Sequence, residues 1–345
     1  MSSSHESDPT ELKTAKGGNR FIWLWPVEAG AVAGIALRLV FSGHAGGPYN
    51  AMDSSFTLLV PLVVGAVTIA WAERTMRRSW RYYFWAAASA NALFVLGTLV
   101  IMIEGLVCAV LAVPLFAVLG GVAGILTGAL CRWTQWPRHA TYGIAVLPLV
   151  FGAFEQRLPL PSAILTTDST RMVAASRDEV WQRLLSAKQI RRTEIGDAWM
   201  YRIGVPLPES AASERRDGEL VRHIVMGNGI HFDQVASVWE PGRRVLWTYR
   251  FCENSFPPHA LDDHVRIGGR HFDVLDTEYA LNETAGGTLL RVRMRYRVST
   301  NFNWYVRPIA QFLVRNFEET ALAFYAHRAE SGEPNAPGCD PFHHC

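Results

Sequence analysis

The chain has 345 residues, 49% of them hydrophobic, and a formal net charge of +2, so its length allows about two domains. The nearly balanced charge provides no basic face, which argues against a nucleic-acid-binding protein. The mean hydropathy of +0.08 hides a segregation, because ionisable residues are sparse between residues 21 and 154 and frequent from Arg171 onward. We therefore predict a membrane-embedded half followed by a water-exposed half.

The first part of the chain predicts a tail followed by two membrane helices. Residues 1–20 are rich in Ser, Glu, Lys and Gly, a composition typical of a disordered tail. The apolar run at 21–41 is too long for a signal peptide and lacks a clear cleavage site, so we predict an uncleaved first helix. A second run spans 56–71, and a cluster of arginines follows it: Arg74, Arg77, Arg78 and Arg81. Such clusters mark the cytoplasmic side, whereas the loop at 42–55 has no Lys or Arg and is expected outside.

The stretch from Tyr82 to Leu130 predicts two further crossings. It contains a single ionisable side chain, Glu104. A crossing takes about 20 apolar residues, so the chain is expected to turn at Glu104 and Gly105. The turn carries no Lys or Arg and should face outward.

The last apolar run decides the topology of the bundle predicted at 21–155. It spans 139–154, contains Pro148 and is short for a full crossing. If it crosses, the bundle has five helices, the N-terminus is cytoplasmic, and the later domain lies outside the cytoplasm. If it does not cross, the bundle has four helices and the later domain is cytoplasmic. We favour five helices in a bacterial-type inner membrane.

Small residues recur at four-residue spacing in the fourth predicted helix, at Gly120, Gly124 and Gly128. This spacing lets helix backbones approach closely. The pattern predicts close packing inside one bundle, and a homodimer formed through these three glycines is the alternative.

Composition also sets the boundaries of the second half. Residues 156–165 contain the segment Leu158–Pro161, a Leu-Pro-Leu-Pro sequence that predicts a stiff linker. Residues 166–331 then show the charge frequency of a soluble domain. Residues 331–338 are rich in Gly, Pro, Ser and Asn, and we predict that residues 332–345 form a second disordered tail.

Periodicity within residues 166–331 predicts an α+β domain. A short strand is predicted at 171–175, and Ser176 with Glu179 predicts a capping box that opens a helix. Strict alternation of apolar and charged residues at 290–298 predicts a strand with one buried face. Further strands are predicted at 220–226, 232–238, 245–249 and 277–281. A long amphipathic helix at 303–330 closes the domain.

The order of a strand, a helix, antiparallel strands and a long terminal helix resembles the START-like superfamily, often called SRPBCC. This superfamily includes Bet v 1 and the polyketide cyclase/dehydrase and lipid-transport proteins. The segments that carry the resemblance are residues 172–181, residues 238–244 and the strand entry at 287–289. The resemblance implies a helix-grip fold, in which a curved antiparallel sheet wraps around the terminal helix and leaves a cavity for an apolar ligand.

Side chains on the inward stripes are the predicted lining of that cavity, although each of them is equally compatible with simple core packing. They are Trp247, Tyr249, Tyr279, Met294, Tyr296, Phe312 and Phe317. General acid–base chemistry needs a titratable group inside the cavity. His223 and His231 lie on predicted strands and are the weak catalytic candidates.

Other chemistry-bearing patterns are weak. One loop contains five potential metal ligands: His259, Asp262, Asp263, His264 and His271. Their spacing matches no zinc pattern, so we predict no metal site. The chain has no nucleophile elbow, phosphate loop or dinucleotide fingerprint, so no cofactor is predicted. Three cysteines of the second half, Cys252, Cys339 and Cys345, allow a disulfide if that half faces an oxidising compartment.

Three functions from different classes remain open. The first is a membrane-anchored domain that binds a lipid or another hydrophobic small molecule at the membrane surface. The second is a membrane-bound enzyme, similar to a polyketide cyclase or aromatase or acting as a hydrolase, that uses a cavity histidine. The third is a signalling or assembly module that binds a protein.

Overall fold

A computed structural model describes residues 21–43, 49–134, 140–155, 157–258, 260–262 and 265–332. The predicted tail at 1–20 and residues 333–345 of the second predicted tail lie outside the described residues. The described chain forms two compact units. Most of the helical first half is one unit, and the sheet-rich second half, together with Met102–Val110, is the other.

In its described residues, the first half of the chain consists of helices joined by short turns and loops. Its helices are α1 (Phe21–Val40), α2 (Val60–Ala72), α3 (Trp80–Val100), α4 (Leu106–Trp133) and α5 (Ala140–Glu155). A π-helical turn, Ser55–Leu59, leads directly into α2. Three segments of this half are long and apolar enough to cross a membrane, namely Ser55–Ala72, Trp80–Val100 and Leu106–Trp133. The predicted turn at Glu104 is confirmed, because α3 ends before it and α4 begins after it.

The small residues of α4 permit close approach of helices within one chain. A Cβ atom at Gly120 would overlap the side chain of Asn91, and one at Gly124 would overlap the carbonyl oxygen of Tyr83. A Cβ atom at Gly128 would overlap the Tyr83 ring. The three glycines therefore lie against α3 of the same chain.

The second unit is an antiparallel sheet with helices. Its strands are β1 (Ser162–Val173), β2 (Ser186–Ala187), β3 (Pro208–Arg216), β4 (Glu219–Met226), β5 (His231–Glu240), β6 (Arg244–Arg250), β7 (Phe272–Thr284) and β8 (Gly287–Ser299). Its helices are α6 (Arg177–Leu185), α7 (Arg192–Ile195), α8 (Trp199–Arg202) and α9 (Asn303–Glu330). In the described residues the strand order is β1-β8-β7-β6-β5-β4-β3-β2. The long helix α9 packs against β1 and β8.

The alternation predicted at 290–298 is confirmed in β8. Its apolar side chains are buried: Leu290, Val292, Met294, Tyr296 and Val298. The intervening arginines lie on the opposite side of the sheet, where Arg291 pairs with Asp168 and Arg295 lies 3.3 Å from Asp276. The predicted capping box is also present at the start of α6. Local patterns therefore suffice where one face of an element is apolar.

One strand prediction needs correction, and one strand was not predicted. The strand predicted at 171–175 is the end of the twelve-residue strand β1, which begins inside the predicted linker. Cross-strand pairing with β8 extends along the whole of β1, from Ser162 to Val173, and compensates for its polar composition. The edge-region strand β3 was not predicted, because its sequence, PESAASERR, has almost no apolar alternation.

Candidate functional site

One side of the sheet faces α9, and we call it the helix-facing side. Four predicted lining residues are buried in the core of the second unit: Trp247, Tyr279, Met294 and Tyr296. Tyr249 and Phe317 are half-buried against the same core. Phe312 differs, because its side chain is 54% exposed and packs beside Trp199, with ring centroids 6.4 Å apart. The structure therefore brings six of the seven predicted side chains to one core and leaves Phe312 at the surface.

A buried arginine is the feature of this core that the sequence reasoning missed. Arg222 lies in β4 and is only 3% exposed. Its guanidinium carbon lies 5.8 Å from the centroid of the Trp247 ring and 5.9 Å from that of Tyr325, a residue of α9. One terminal nitrogen of Arg222 donates a hydrogen bond to the Tyr325 hydroxyl. Arg222 thus points to the helix-facing side.

A signal for Arg222 does exist in the sequence. The run from Leu220 to Met226 alternates with a period of two, so Arg222 shares its face with Leu220 and Ile224. An arginine on the apolar face of a strand is unusual and needs a partner. The sequence prediction instead named the neighbouring residue, His223, as a candidate.

Several polar atoms around Arg222 are buried. The Tyr249 hydroxyl lies 2.7 Å from the Thr277 hydroxyl, and the Tyr279 and Tyr325 rings meet edge to face with centroids 5.9 Å apart. Burial raises the pKa of Tyr279 well above its ordinary value, so its hydroxyl is neutral at physiological pH and can donate a hydrogen bond. The core therefore combines aromatic walls with neutral hydrogen-bonding groups.

Four buried polar atoms of this core have no hydrogen-bond partner within the described part of the chain. They are Arg222 Nε, Gln234 Oε1, Trp247 Nε1 and Tyr296 Oη. Buried polar groups in proteins are nearly always hydrogen-bonded, so a group of such atoms requires an explanation. A bound molecule that supplies hydrogen bonds is one explanation that this side of the sheet allows.

A second buried ionisable group lies on α9. Glu318 is fully buried, and its carboxylate accepts hydrogen bonds from Thr167 Oγ1 at 2.7 Å and Ser169 Oγ at 2.9 Å. Burial raises the pKa of Glu318, and the two hydroxyl donors offset part of that effect. Both hydroxyls belong to β1, so this carboxyl group fastens α9 to that strand.

Neither candidate histidine faces the helix. Successive side chains of a strand point to opposite sides, so His223 points away from the side that Arg222 occupies. Its Nδ1 lies 2.6 Å from Asp233 Oδ1 and its Nε2 lies 3.0 Å from Glu214 Oε1. His231 lies on the same side of β5 as Asp233 and has its Nδ1 3.1 Å from the Gly229 carbonyl oxygen. The suggested role of either histidine inside the cavity does not match this placement.

The metal and disulfide expectations concern the loop after β6. Of the five potential ligands, His259, Asp263 and His264 lie outside the described residues. His271 is buried, with its Nδ1 3.1 Å from the Ser299 carbonyl oxygen. Asp262 lies near two other potential metal ligands of the second unit, Glu104 and Cys108. One ligand atom from each of these three residues lies within 4.8 Å of the other two.

Cys252, in the same loop region, is disulfide-bonded. Cys108 and Cys131 are not disulfide-bonded. The two other cysteines of the second half, Cys339 and Cys345, lie outside the described residues. The bridge that the sequence allowed at Cys252 is therefore formed.

An antiparallel sheet combined with one long C-terminal helix defines the second unit as a helix-grip domain. This is the architecture that the resemblance in the sequence implied. Solved structures that are similar to this chain include aromatase/cyclases. No family model matches the chain, and no curated protein matches it.

Three solved structures illustrate the similarity. A protein of unknown function from Staphylococcus aureus, SA2116, is 14% identical, with 50% of this chain and 96% of that chain covered and a TM-score of 0.32. The Zhui aromatase/cyclase from Streptomyces sp. R1128 is 15% identical, with 51% of this chain and 100% of that chain covered and a TM-score of 0.30. The di-domain aromatase/cyclase BexL is 12% identical, with 59% of this chain and 60% of that chain covered and a TM-score of 0.32. At these identities and TM-scores, the similarity says nothing about the activity of this chain.

Proposed function

We propose that this chain is a membrane-anchored protein whose helix-grip domain binds a lipid or another hydrophobic small molecule on the helix-facing side of its sheet. The observation that carries the proposal is the group of buried polar atoms without partners in the described core, which includes the Nε of Arg222 and the Nε1 of the neighbouring Trp247. Ligand sites are typically apolar with a few placed polar groups. The apolar segments Ser55–Ala72, Trp80–Val100 and Leu106–Trp133 supply the anchor.

The enzyme hypothesis receives less support. It required a histidine inside the cavity, and both His223 and His231 point away from the helix-facing side. The aromatase/cyclase activity in the names of similar structures belongs to those proteins, and a shared fold does not transfer it. Binding is therefore the better-supported function.

Extraction of the purified full-length protein tests this proposal. We expect organic extracts to contain a hydrophobic compound in stoichiometric amount, identified by mass spectrometry. In the variant Ile224→Trp, a bulky indole ring would replace an aliphatic side chain in the core near Arg222, so the compound should be depleted by about tenfold or more. The matched control is Ser237→Trp, at an exposed position of β5, which should retain the compound. Equal amounts in both variants, or none in the native protein, would contradict the proposal.

We also propose five membrane crossings, with the helix-grip domain outside the cytoplasm. Glu155, the last residue of α5, accepts hydrogen bonds from the backbone N–H groups of Ser54 at 2.5 Å and Ser55 at 2.8 Å. These residues begin the second apolar segment, so α5 ends at the same end of the first unit as the α1–α2 loop. That loop region has no Lys or Arg and is therefore expected outside.

Two further observations support this topology. Arg132, near the end of α4, donates a hydrogen bond to the Arg78 carbonyl oxygen at 2.5 Å, so the basic residues gather around the start of α3 and the end of α4. The disulfide of Cys252 is typical of an oxidising compartment. Both observations agree with a cytoplasmic basic end and an extracytoplasmic helix-grip domain.

Reporter fusions test the topology. Alkaline phosphatase, which is active only in an oxidising compartment, should be active when fused to the C-terminus of the full chain. The same fusion after Arg78 should be inactive, because that position lies at the basic end. Green fluorescent protein fused at the same two positions should give the reverse result, with fluorescence after Arg78 and none at the C-terminus. An inactive phosphatase at the C-terminus would favour four crossings.

A further inference from the structure

No carboxylate in the described part of the chain forms an ion pair with the guanidinium of Arg222. Its one polar partner is the hydroxyl of Tyr325, and no Asp or Glu of the described residues forms an ion pair with it. The other buried acid on this side, Glu318, accepts hydrogen bonds from Thr167 and Ser169 instead. The guanidinium is therefore buried among aromatic rings with its Nε unpartnered.

A buried cation of this kind is costly. Transfer of a charge into a protein interior carries a large desolvation penalty, which an oppositely charged partner must offset. The faces of Trp247 and Tyr325 offset part of it, since cation–π contacts stabilise a desolvated guanidinium. An anion would offset much more, because hydrogen bonds between charged groups are roughly twice as strong as neutral ones.

The other unpartnered atoms point to the same chemistry. Trp247 Nε1 and Arg222 Nε can donate a hydrogen bond but cannot accept one. The Tyr296 hydroxyl can also donate a hydrogen bond. Two of the four unpartnered buried atoms therefore require an acceptor, and a third, the Tyr296 hydroxyl, can also use one. The surrounding core is aromatic and aliphatic, which does not suit a small hydrated anion but suits an amphiphile.

We propose that the ligand of the helix-grip domain is an amphiphile with a single anionic head, a carboxylate or a phosphate monoester, which pairs with Arg222. This inference rests on the proposed binding function and specifies its ligand class. The planar guanidinium presents Nε and a terminal nitrogen side by side, an arrangement that matches two oxygens of one anionic group. The apolar tail of the ligand lies along the aromatic residues on the helix-facing side of the sheet.

Binding of matched probes tests this proposal. The full-length protein in lipid nanodiscs is titrated at pH 8 with radiolabelled dodecanoate, dodecyl phosphate and dodecanol, and binding to empty nanodiscs is subtracted. At least one of the two anions should bind about tenfold or more tightly than dodecanol, since a charge-assisted hydrogen bond favours the anion. The carboxylate and phosphate arms show which head group the site prefers.

Variants of Arg222 assign the preference to this residue. Arg222→Met should bring the affinities for anion and alcohol to within about twofold, whereas Arg222→Lys, which keeps the charge, should retain part of the difference. The control Arg295→Met, at a residue on the opposite side of the sheet, should behave as the native protein. If Arg222→Met does not fold, the native selectivity and the lysine variant still decide the outcome.

The outcomes separate the two proposals. Equal affinity of the native protein for dodecanol and both anions would overturn the anionic ligand class and leave the binding function standing. Anion selectivity that survives in Arg222→Met would overturn the role of Arg222. No specific binding of any probe, combined with no extracted compound, would overturn the proposed function itself.

Discussion

Replacing Trp247 by alanine should lower the free energy of unfolding of the helix-grip domain by about 3–5 kcal/mol. Trp247 is 0% exposed, and its strand, β6, lies inside the sheet between β5 and β7. The truncation removes the largest fully buried side chain described and leaves a space that neighbouring strands fill only partly. For a domain of this size the loss corresponds to a decrease of about 6–20 °C in melting temperature, measured by thermal unfolding of the detergent-solubilised protein.

The matched control is Trp304→Ala. Trp304 belongs to α9 but is 65% exposed, so its removal should change the stability by about 0.5 kcal/mol or less. The two variants delete the same atoms from the same domain and differ in burial. A loss below about 1 kcal/mol for Trp247→Ala would show that the helix-facing side is not a packed core.

Replacing His223 by leucine should cost about 3–5 kcal/mol, because removing one partner of a buried ionic pair leaves the other partner uncompensated. Asp233 is buried and lies 2.6 Å from the His223 ring, and Glu214 contacts the opposite ring nitrogen at 3.0 Å. The histidine thus links β3, β4 and β5. The comparison variant is His231→Leu, on the same side of β5 but half-exposed, which should cost much less.

The pH dependence of stability distinguishes these two histidines. Burial by itself lowers the pKa of His223, but its hydrogen bonds to Glu214 and Asp233 and their negative charges raise the pKa above its ordinary value. A raised pKa means that the folded state binds the proton more tightly than the unfolded state. The stabilisation is therefore complete below the ordinary histidine pKa and is lost as the pH rises through the raised value.

Melting temperatures measured between pH 5 and pH 9 check this sign. The native protein should lose stability towards the alkaline end of that range, and His223→Leu should lose the part of the slope that this histidine contributes. His231→Leu should keep the native slope. A slope that is identical in the native protein and in His223→Leu would contradict the assignment.

Local patterns predicted several elements correctly. The alternation in β8, the capping box at Ser176 and the amphipathic pattern of α9 are each visible within a few turns or residues of chain. The strand β3 and most of β1 were missed, because their stability depends on hydrogen bonds to neighbouring strands and not on an apolar face of their own. Residue patterns within a single helix or strand therefore predict that element well. They contain no information about hydrogen bonding between strands that are distant in the sequence.

The candidate site shows the same division. The aromatic residues Trp247, Tyr279 and Tyr296 were predicted to face inward, and they are buried in one core. Arg222 and His223 are adjacent, and only the placement of their strand against α9 shows which of them faces the helix. A shift of register by one residue would exchange their positions.

The sequence alone determined that the first half of the chain is rich in long apolar segments and that the second half alternates as an α+β domain, because hydropathy and periodicity are properties of consecutive residues. The tertiary structure decided that Arg222 lies buried beside Tyr325 and Trp247, that His223 lies on the opposite side between two carboxylates, and that α5 ends beside Ser54. These facts depend on contacts between residues far apart in the chain, and such contacts are fixed by packing and hydrogen bonding and not by any local pattern.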